Sequence, residues 1–190
     1  MNKSENLSSS DPARRWILAG MPVLILAGFP MHFIFEWTGR LSLIGAFAPV
    51  NESIWEHLKL AFWPMLIWWL AGYLILRRKA MAPGARWILA GSAAALACPL
   101  VIIIIYYVHT GALGTDSFIV DIFSFVAAVV VSQGLALHIF RYARTSPWTW
   151  LLAISILAAL VFAFTFFTFA PPHLPVFQDS LSGKYGLPVN

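Results

Sequence analysis

Charge is scarce in this chain of 190 residues: Asp, Glu, Lys and Arg together make up 11% of it, where a soluble domain carries about 25%. So little polar surface cannot cover a water-solvated globule, and lipid is left as the solvent for much of the chain. Cysteine is nearly absent. Cys98 stands alone inside an apolar run, which excludes an intrachain disulfide and a thiolate metal cluster. Also missing are a Gly-x-Ser-x-Gly elbow, a His-Glu-x-x-His helix, a Gly-Lys-Ser/Thr phosphate loop and a Rossmann glycine pattern. The formal net charge is +4, but the basic residues fall in short clusters between apolar runs. That distribution is a topology signal, not a nucleic-acid groove.

What the chain has in abundance is apolar sequence: 60% of its residues, with a mean hydropathy of +0.79. Five runs are each long enough to cross a hydrocarbon core of about 30 Å, which takes about 20 helical residues. They extend over Trp16 to Trp37, Ile54 to Leu76, Trp87 to Val108, Ser117 to Ile139 and Trp148 to Ala170. The reading is an all-α integral membrane protein, a five-helix transmembrane bundle over residues 14–170. A polar, disordered cytoplasmic arm (1–13) precedes it and an extracytoplasmic tail (171–190) follows. Arg14-Arg15 resembles a twin-arginine signal, yet four further runs follow, so the first run reads as a signal anchor. The odd number of runs does not suit a transporter made of two equal inverted halves.

Orientation follows from the basic residues. With the N-terminus inside, nine of them (Lys3, Arg14, Arg15, Arg77, Arg78, Lys79, Arg86, Arg141, Arg144) face the cytoplasm and three (Arg40, Lys59, Lys184) face out. The cell membrane is the expected location and the lipid bilayer the expected partner. Short inner connections predict that the second and third helices, and the fourth and fifth, are antiparallel neighbours. Residues 38–53 carry Leu41, Leu43, Ile44 and Phe47 between glycines and Pro49, which suits an interfacial or re-entrant segment. The tail has four prolines and no helical period, and is expected to be solvated.

Acidic residues mark the chemistry. Glu36, Glu52, Glu56, Asp116, Asp121 and Asp179 all fall at the outer side, with His32, His57, His109 and His173. His32 and Glu36 lie four residues apart on one helix face, a two-ligand fragment for zinc or another divalent cation. An ionisable group in the outer third of a span is costly unless it faces the bundle interior. Glu52 and Asp121 join these two as expected metal ligands, with His57 and His109 as further candidates and Glu56 as a general base. Blander roles stand beside these. Ser53 with Glu56 forms a capping box, Lys59 lies one turn from Glu56 and can pair with it, and Asp116 can cap the fourth helix. His138 lies at the inner end beside Arg141 and is simply interfacial. His173 and Asp179 offer a lid over the outer site only as the lesser alternative to a solvated tail.

The runs Phe35-Glu36-Trp37-Thr38-Gly39 and Pro49-Val50-Asn51-Glu52-Ser53-Ile54-Trp55-Glu56-His57-Leu58-Lys59 are joined by a Pro171-Pro172 to Gly186 tail. Together they resemble an uncharacterised bacterial family of small multi-pass membrane proteins. The resemblance covers most of the chain, with Asn-Glu-Ser-x-Trp-Glu-His-Leu-Lys as its most specific block. It implies a membrane protein whose tail belongs to the module, and it brings no activity. Intramembrane zinc hydrolases of the alkaline ceramidase and progestin-receptor type offer only a chemical analogy. Three functions fit the residues: a metal-dependent hydrolase acting on a lipid or amphiphile, a cation or proton transporter, and a non-catalytic scaffold or sensor. The nearly uncharged inner halves of the helices weigh against transport.

Overall fold

Asp11 and Ser146 each stand before a proline, and each starts a long helix. The Asp11 carboxylate accepts the Ala13 N–H at 2.8 Å, and Ser146 forms a reciprocal cap with Thr149. The computed structural model describes residues 11–78, 84–115 and 117–187. Its elements are α1 (Pro12–Trp37), the short α2 (Ser42–Gly45), α3 (Ile54–Arg78), α4 (Ala85–Tyr107), α5 (Phe118–Tyr142) and α6 (Pro147–Phe169). A π-helical turn, Val108–Ala112, extends α4, and a 3-10 turn, Pro175–Phe177, lies in the tail. The described residues are all-helical apart from loops and an isolated bridge, and five of the helices are long and apolar enough to cross a membrane. α1 starts at Pro12, so Pro12 and Ala13 are helical, while the rest of the expected arm and Asp116 lie outside the described residues, except for the cap Asp11.

Four helices close a ring: α1 packs on α3 and α5, and α4 packs on α3 and α5. Neighbours run in opposite directions. Trp16 near the start of α1 stacks on Trp68 in the second half of α3, while His32 near the end of α1 meets His57 at the start of α3. α4 and α5 make the most extensive contact because both turn small residues inward. α5 buries Ser124, Ala128, Ser132 and Ala136 at four-residue intervals, and α4 buries Ala90, Gly91, Ala94 and Ala95. The expected pairing of the fourth and fifth long helices is not the principal one. α6 packs chiefly on α4, and its Phe164 is drawn across to stack on Phe62 of α3 at 4.4 Å.

One amide ties the ring together. Gln133 of α5 accepts the Trp69 indole N–H at 3.2 Å and donates to the Ile17 carbonyl at 3.3 Å, joining α5 to α3 and α1. Gly20 makes room for it: a Cβ there would lie 2.1 Å from Gln133 Nε2.

Residues 38–53 fold over the end of the ring where α1 finishes and α3 begins. Phe35, Ala48 and Val50 form a second apolar cluster with Ile34, Ile44 and Leu187 of the tail. Lys59 is fully buried beneath it, its ammonium bonded to Glu56 Oε2 at 2.6 Å, the Gly45 carbonyl at 2.7 Å and Thr168 Oγ1 at 2.5 Å. Three donors meet three acceptors.

The tail is packed, contrary to the solvated state expected from its prolines. Phe177 is buried and lies 4.7 Å from the Trp55 ring and 5.4 Å from Phe167. Gln178 bridges to Tyr185 across a turn whose acceptor is Asp179, bonded by the Leu181 and Ser182 N–H groups and the Ser182 hydroxyl. Single large side chains anchor this segment, so no periodic pattern announces it.

Candidate metal centre

The Asn51-Glu52-Ser53 turn sets the geometry. Asn51 Oδ1 accepts the Ser53 N–H at 2.9 Å, and Ser53 Oγ accepts the Glu56 N–H at 3.3 Å, so α3 begins immediately after Ser53. Only half of the expected capping box forms, because the Glu56 carboxylate accepts the Val50 N–H at 3.0 Å instead of reaching back to Ser53. Starting α3 there points His57 across the mouth of the ring toward His32 and leaves Glu52 in the turn between them.

The His57 Nδ1 lies 2.9 Å from the Ser53 carbonyl. A carbonyl only accepts, so Nδ1 carries a proton, and Nε2 is the atom that faces Glu52: protonated, it donates to that carboxylate, and on losing its proton it offers a lone pair. That Nε2 is 3.3 Å from Glu52 Oε2, and His32 Nε2 is 3.9 Å from Glu52 Oε1. One ligand atom from each of His32, Glu52 and His57 lies within 4.8 Å of the other two. The three side chains are 33%, 41% and 32% exposed, so a solute can reach them. The hydrogen bond with His57, aided by the charges of His57 and His32, holds the Glu52 carboxyl below its ordinary value against partial burial and the nearby Asp179 charge.

The tail supports this turn from behind. The Glu52 N–H donates to Asp179 Oδ1 at 3.1 Å, and Ser180 Oγ donates to the Glu52 carbonyl at 3.1 Å. Asn51 Nδ2 adds a bond to the Gly186 carbonyl at 2.9 Å. Burial works to raise the Asp179 carboxyl, but bonds from Ser182, Leu181 and Glu52 outweigh it and hold the group below its ordinary value.

A second pair completes the mouth of the ring. Asp121 in the first turn of α5 lies 3.4 Å from Nε2 of His109. His109 is buried in the π-helical turn, with Nδ1 2.9 Å from the Ile105 carbonyl. Asp121 is also close enough for its charge to act on the His57 imidazole. Each ring helix or its extension thus brings a histidine or an aspartate to the same end: His32, His57, His109 and Asp121, with Glu52 between the first two.

The other expected site residues stand apart from this arrangement. Glu36 turns to Arg40, whose Nε donates to both carboxylate oxygens at 3.0 Å. Gly39 and Arg40, at φ 71° and 59°, curl the chain back to make that contact. Glu56 is held by Lys59 and Val50 on a different face of α3 from His57, which gives a base role no support. His173 stacks on Tyr185 at 4.6 Å, within the tail.

Residues 5–187 match the family described as Family of unknown function (DUF6512). The chain belongs to that family. The match takes in all five long helices, the Asn51–Ser53 turn and the folded tail, so the clamp on Glu52 lies inside the family's own boundaries. The resemblance to an uncharacterised family is thereby established. No curated protein and no solved structure matches the chain. The centrality of His57 and the supporting role of Asp179 and Ser180 were the least legible features. The two signals for them were the dense polar block at 51–59 and the Asp-x-x-Ser-Gly turn of the tail.

Proposed function

We propose that this is an integral membrane protein with a cytoplasmic N-terminus, and that His32, Glu52 and His57 bind a divalent transition metal at the outer end of its helix ring. Convergence of two imidazoles and one carboxylate, with the His57 tautomer fixed by Ser53, carries this reading. Nitrogen and oxygen donors of this kind suit zinc. Among the described residues, the inner half of the ring holds Ser132 and Gln133 but offers no charged relay from the site, which speaks against transport.

A metal on three protein ligands keeps a position for water or substrate and acidifies the water it holds. Asp121, 3.4 Å from His109 Nε2 and near enough for its charge to act on His57, would be the proton acceptor for such a water. Phe33 is half exposed and lies edge-on to His32 at 5.2 Å, so apolar surface adjoins the site, which favours an amphiphilic substrate. A metal-dependent hydrolase of a lipid or other amphiphile is therefore the preferred activity, and a metal-stabilised scaffold or sensor is the second reading.

The test is metal content after detergent purification. Wild type is expected to retain one zinc per chain after incubation and desalting. Glu52→Gln and His57→Ala are expected to weaken zinc at least about 100-fold, beyond the cost of losing a supporting contact, while Glu36→Gln leaves it unchanged. Wild type that takes up no divalent ion would sink the metal reading. Asp121→Asn should keep the metal, and loss of hydrolysis in this metal-loaded variant separates enzyme from scaffold.

A further inference from the structure

The half of α3 away from His57 borders a groove that the metal centre does not use. Leu66, Trp69, Leu70 and Tyr73 line it from α3, faced by Ile88 of α4 and Leu157 of α6, around a volume of about 280 Å³. The four α3 residues follow helical spacing and form one stripe. Gly91 contributes to the depth. The Trp69 ring lies against it, where a Cβ would meet ring atoms at 3.0 Å.

The walls offer almost nothing polar. Trp69 sends its indole N–H inward to Gln133 at 3.2 Å, and Trp87, also on the wall, donates to the Trp69 carbonyl at 3.0 Å. Both rings therefore present carbon to the groove. Tyr73 is the exception, and it sits at the end, where its hydroxyl accepts from Arg77 at 3.3 Å and its ring lies 5.7 Å beneath the guanidinium. Arg77 continues the same stripe one turn on, and Arg78 and Arg86 are exposed at that end. Among the described residues, no carboxylate forms a salt bridge with any of these three arginines.

An apolar trough with a cationic mouth selects its occupant. From Leu66 to Arg77 the stripe runs roughly 16 Å at 1.5 Å per residue, which matches the roughly 15 Å of one leaflet's hydrocarbon. The volume lies near the lower edge of ligand pockets, roughly 300 Å³, enough for part of a single chain. We infer that the groove binds one acyl chain of an anionic phospholipid, with the headgroup phosphate on Arg77. Arginine suits that end because its planar fork bonds two phosphate oxygens at once. The inference rests on the membrane reading above and is independent of the metal.

Native mass spectrometry of the full-length protein in detergent, titrated with phosphatidylglycerol or phosphatidylcholine of identical chains, tests it. Wild type is expected to hold one phosphatidylglycerol per chain, about fivefold or more tighter than phosphatidylcholine. Arg77→Gln should bring the two lipids close to parity, Ile88→Trp should weaken both by filling the trough, and Arg144→Gln, a basic residue away from the groove, should change neither. Equal affinity for the two lipids in wild type overturns the proposal, and that comparison needs no variant to fold. A preference that survives Arg77→Gln overturns it as well. Recovery of the chain in the soluble fraction of cells removes the membrane reading itself, whereas a membrane-bound chain without lipid preference removes only this site.

Discussion

Lys59 is the residue on which the capped end of the molecule turns. It has no exposed surface, and its three bonds join three separate segments: α3 through Glu56, the residue 38–53 loop through Gly45, and α6 through Thr168. Removing one partner of a buried ion pair costs about 3–5 kcal/mol, because the other is left charged and unpaired. Lys59→Met is expected to lower stability by about that amount in thermal unfolding in detergent. Adding Glu56→Leu removes the stranded carboxylate but also takes the acceptor from the Val50 N–H, and an orphaned buried donor costs about 1–3 kcal/mol. The double variant should therefore fall between wild type and Lys59→Met. A double variant as unstable as the single one would mean that Lys59 acts through packing and not through its charge. The pairing of Lys59 with Glu56 was legible from their spacing of three. Thr168 was not, because it lies 109 positions away, and sequence spacing carries no information across such a gap. The same limit hid His57. Its distance of one residue from Glu56 showed that the two face different ways, but not which of them faces His32.

At the level of elements, the long helices could be read from length and composition, while their partners and the tail could not. Apolar runs reveal a helix that must bury itself or meet lipid. They do not say which neighbour it takes: α6 packs on α4 and stacks its Phe164 on Phe62 of α3 in spite of its short link to α5. The tail's order comes from Phe177, Leu187 and one aspartate-centred turn, each a solitary feature without period. Its docking has a measurable consequence, because Asp179 and Ser180 hold both backbone groups of Glu52. Asp179→Ala combined with Ser180→Ala should weaken zinc about 10- to 100-fold, the usual effect of losing support behind a ligand, with helix content unchanged. Undiminished zinc affinity would separate the tail from the metal centre. Docking also depends on pH with a definite sign. Asp179 and Glu52 both titrate below their ordinary values in the folded chain, so each contributes stability that is complete above the ordinary carboxylate pKa of about 4. That contribution is lost as pH falls through the depressed folded values. Amide exchange at Leu181 and Ser182 should therefore stay protected from neutral pH to about 4 and accelerate, after correction for intrinsic rates, only below it. Loss of protection near pH 6 would point to a histidine instead.

For the whole molecule, the alternating direction of the ring helices gathers the charges into two groups. Arg14, Arg15, Arg77, Arg78, Arg86, Arg141 and Arg144 lie at one end of the long helices, and His32, Glu52, His57, His109 and Asp121 lie at the other. A segregation of this kind is what the positive-inside rule turns into orientation, since basic flanks resist translocation and acidic ones contribute little. Which end faces the cytoplasm decides where a metal would come from and which leaflet would supply the lipid at Arg77. Cys98 makes the question simple to test. It is the only cysteine and has no exposed surface, so a membrane-impermeant maleimide should leave the wild type unmodified and serve as its own control. Leu181→Cys places a thiol on the tail at a side chain that is 83% exposed, and Thr145→Cys places one in the exposed link between α5 and α6. In intact cells the first should be labelled and the second should react only after permeabilisation. The reverse pattern would turn the protein over, moving the histidine and carboxylate mouth to the cytoplasm and the arginine groove to the outer leaflet. Labelling of both without permeabilisation would mean that the chain has no fixed orientation, and the division into a metal-facing outer end and a lipid-binding inner end would lose its basis.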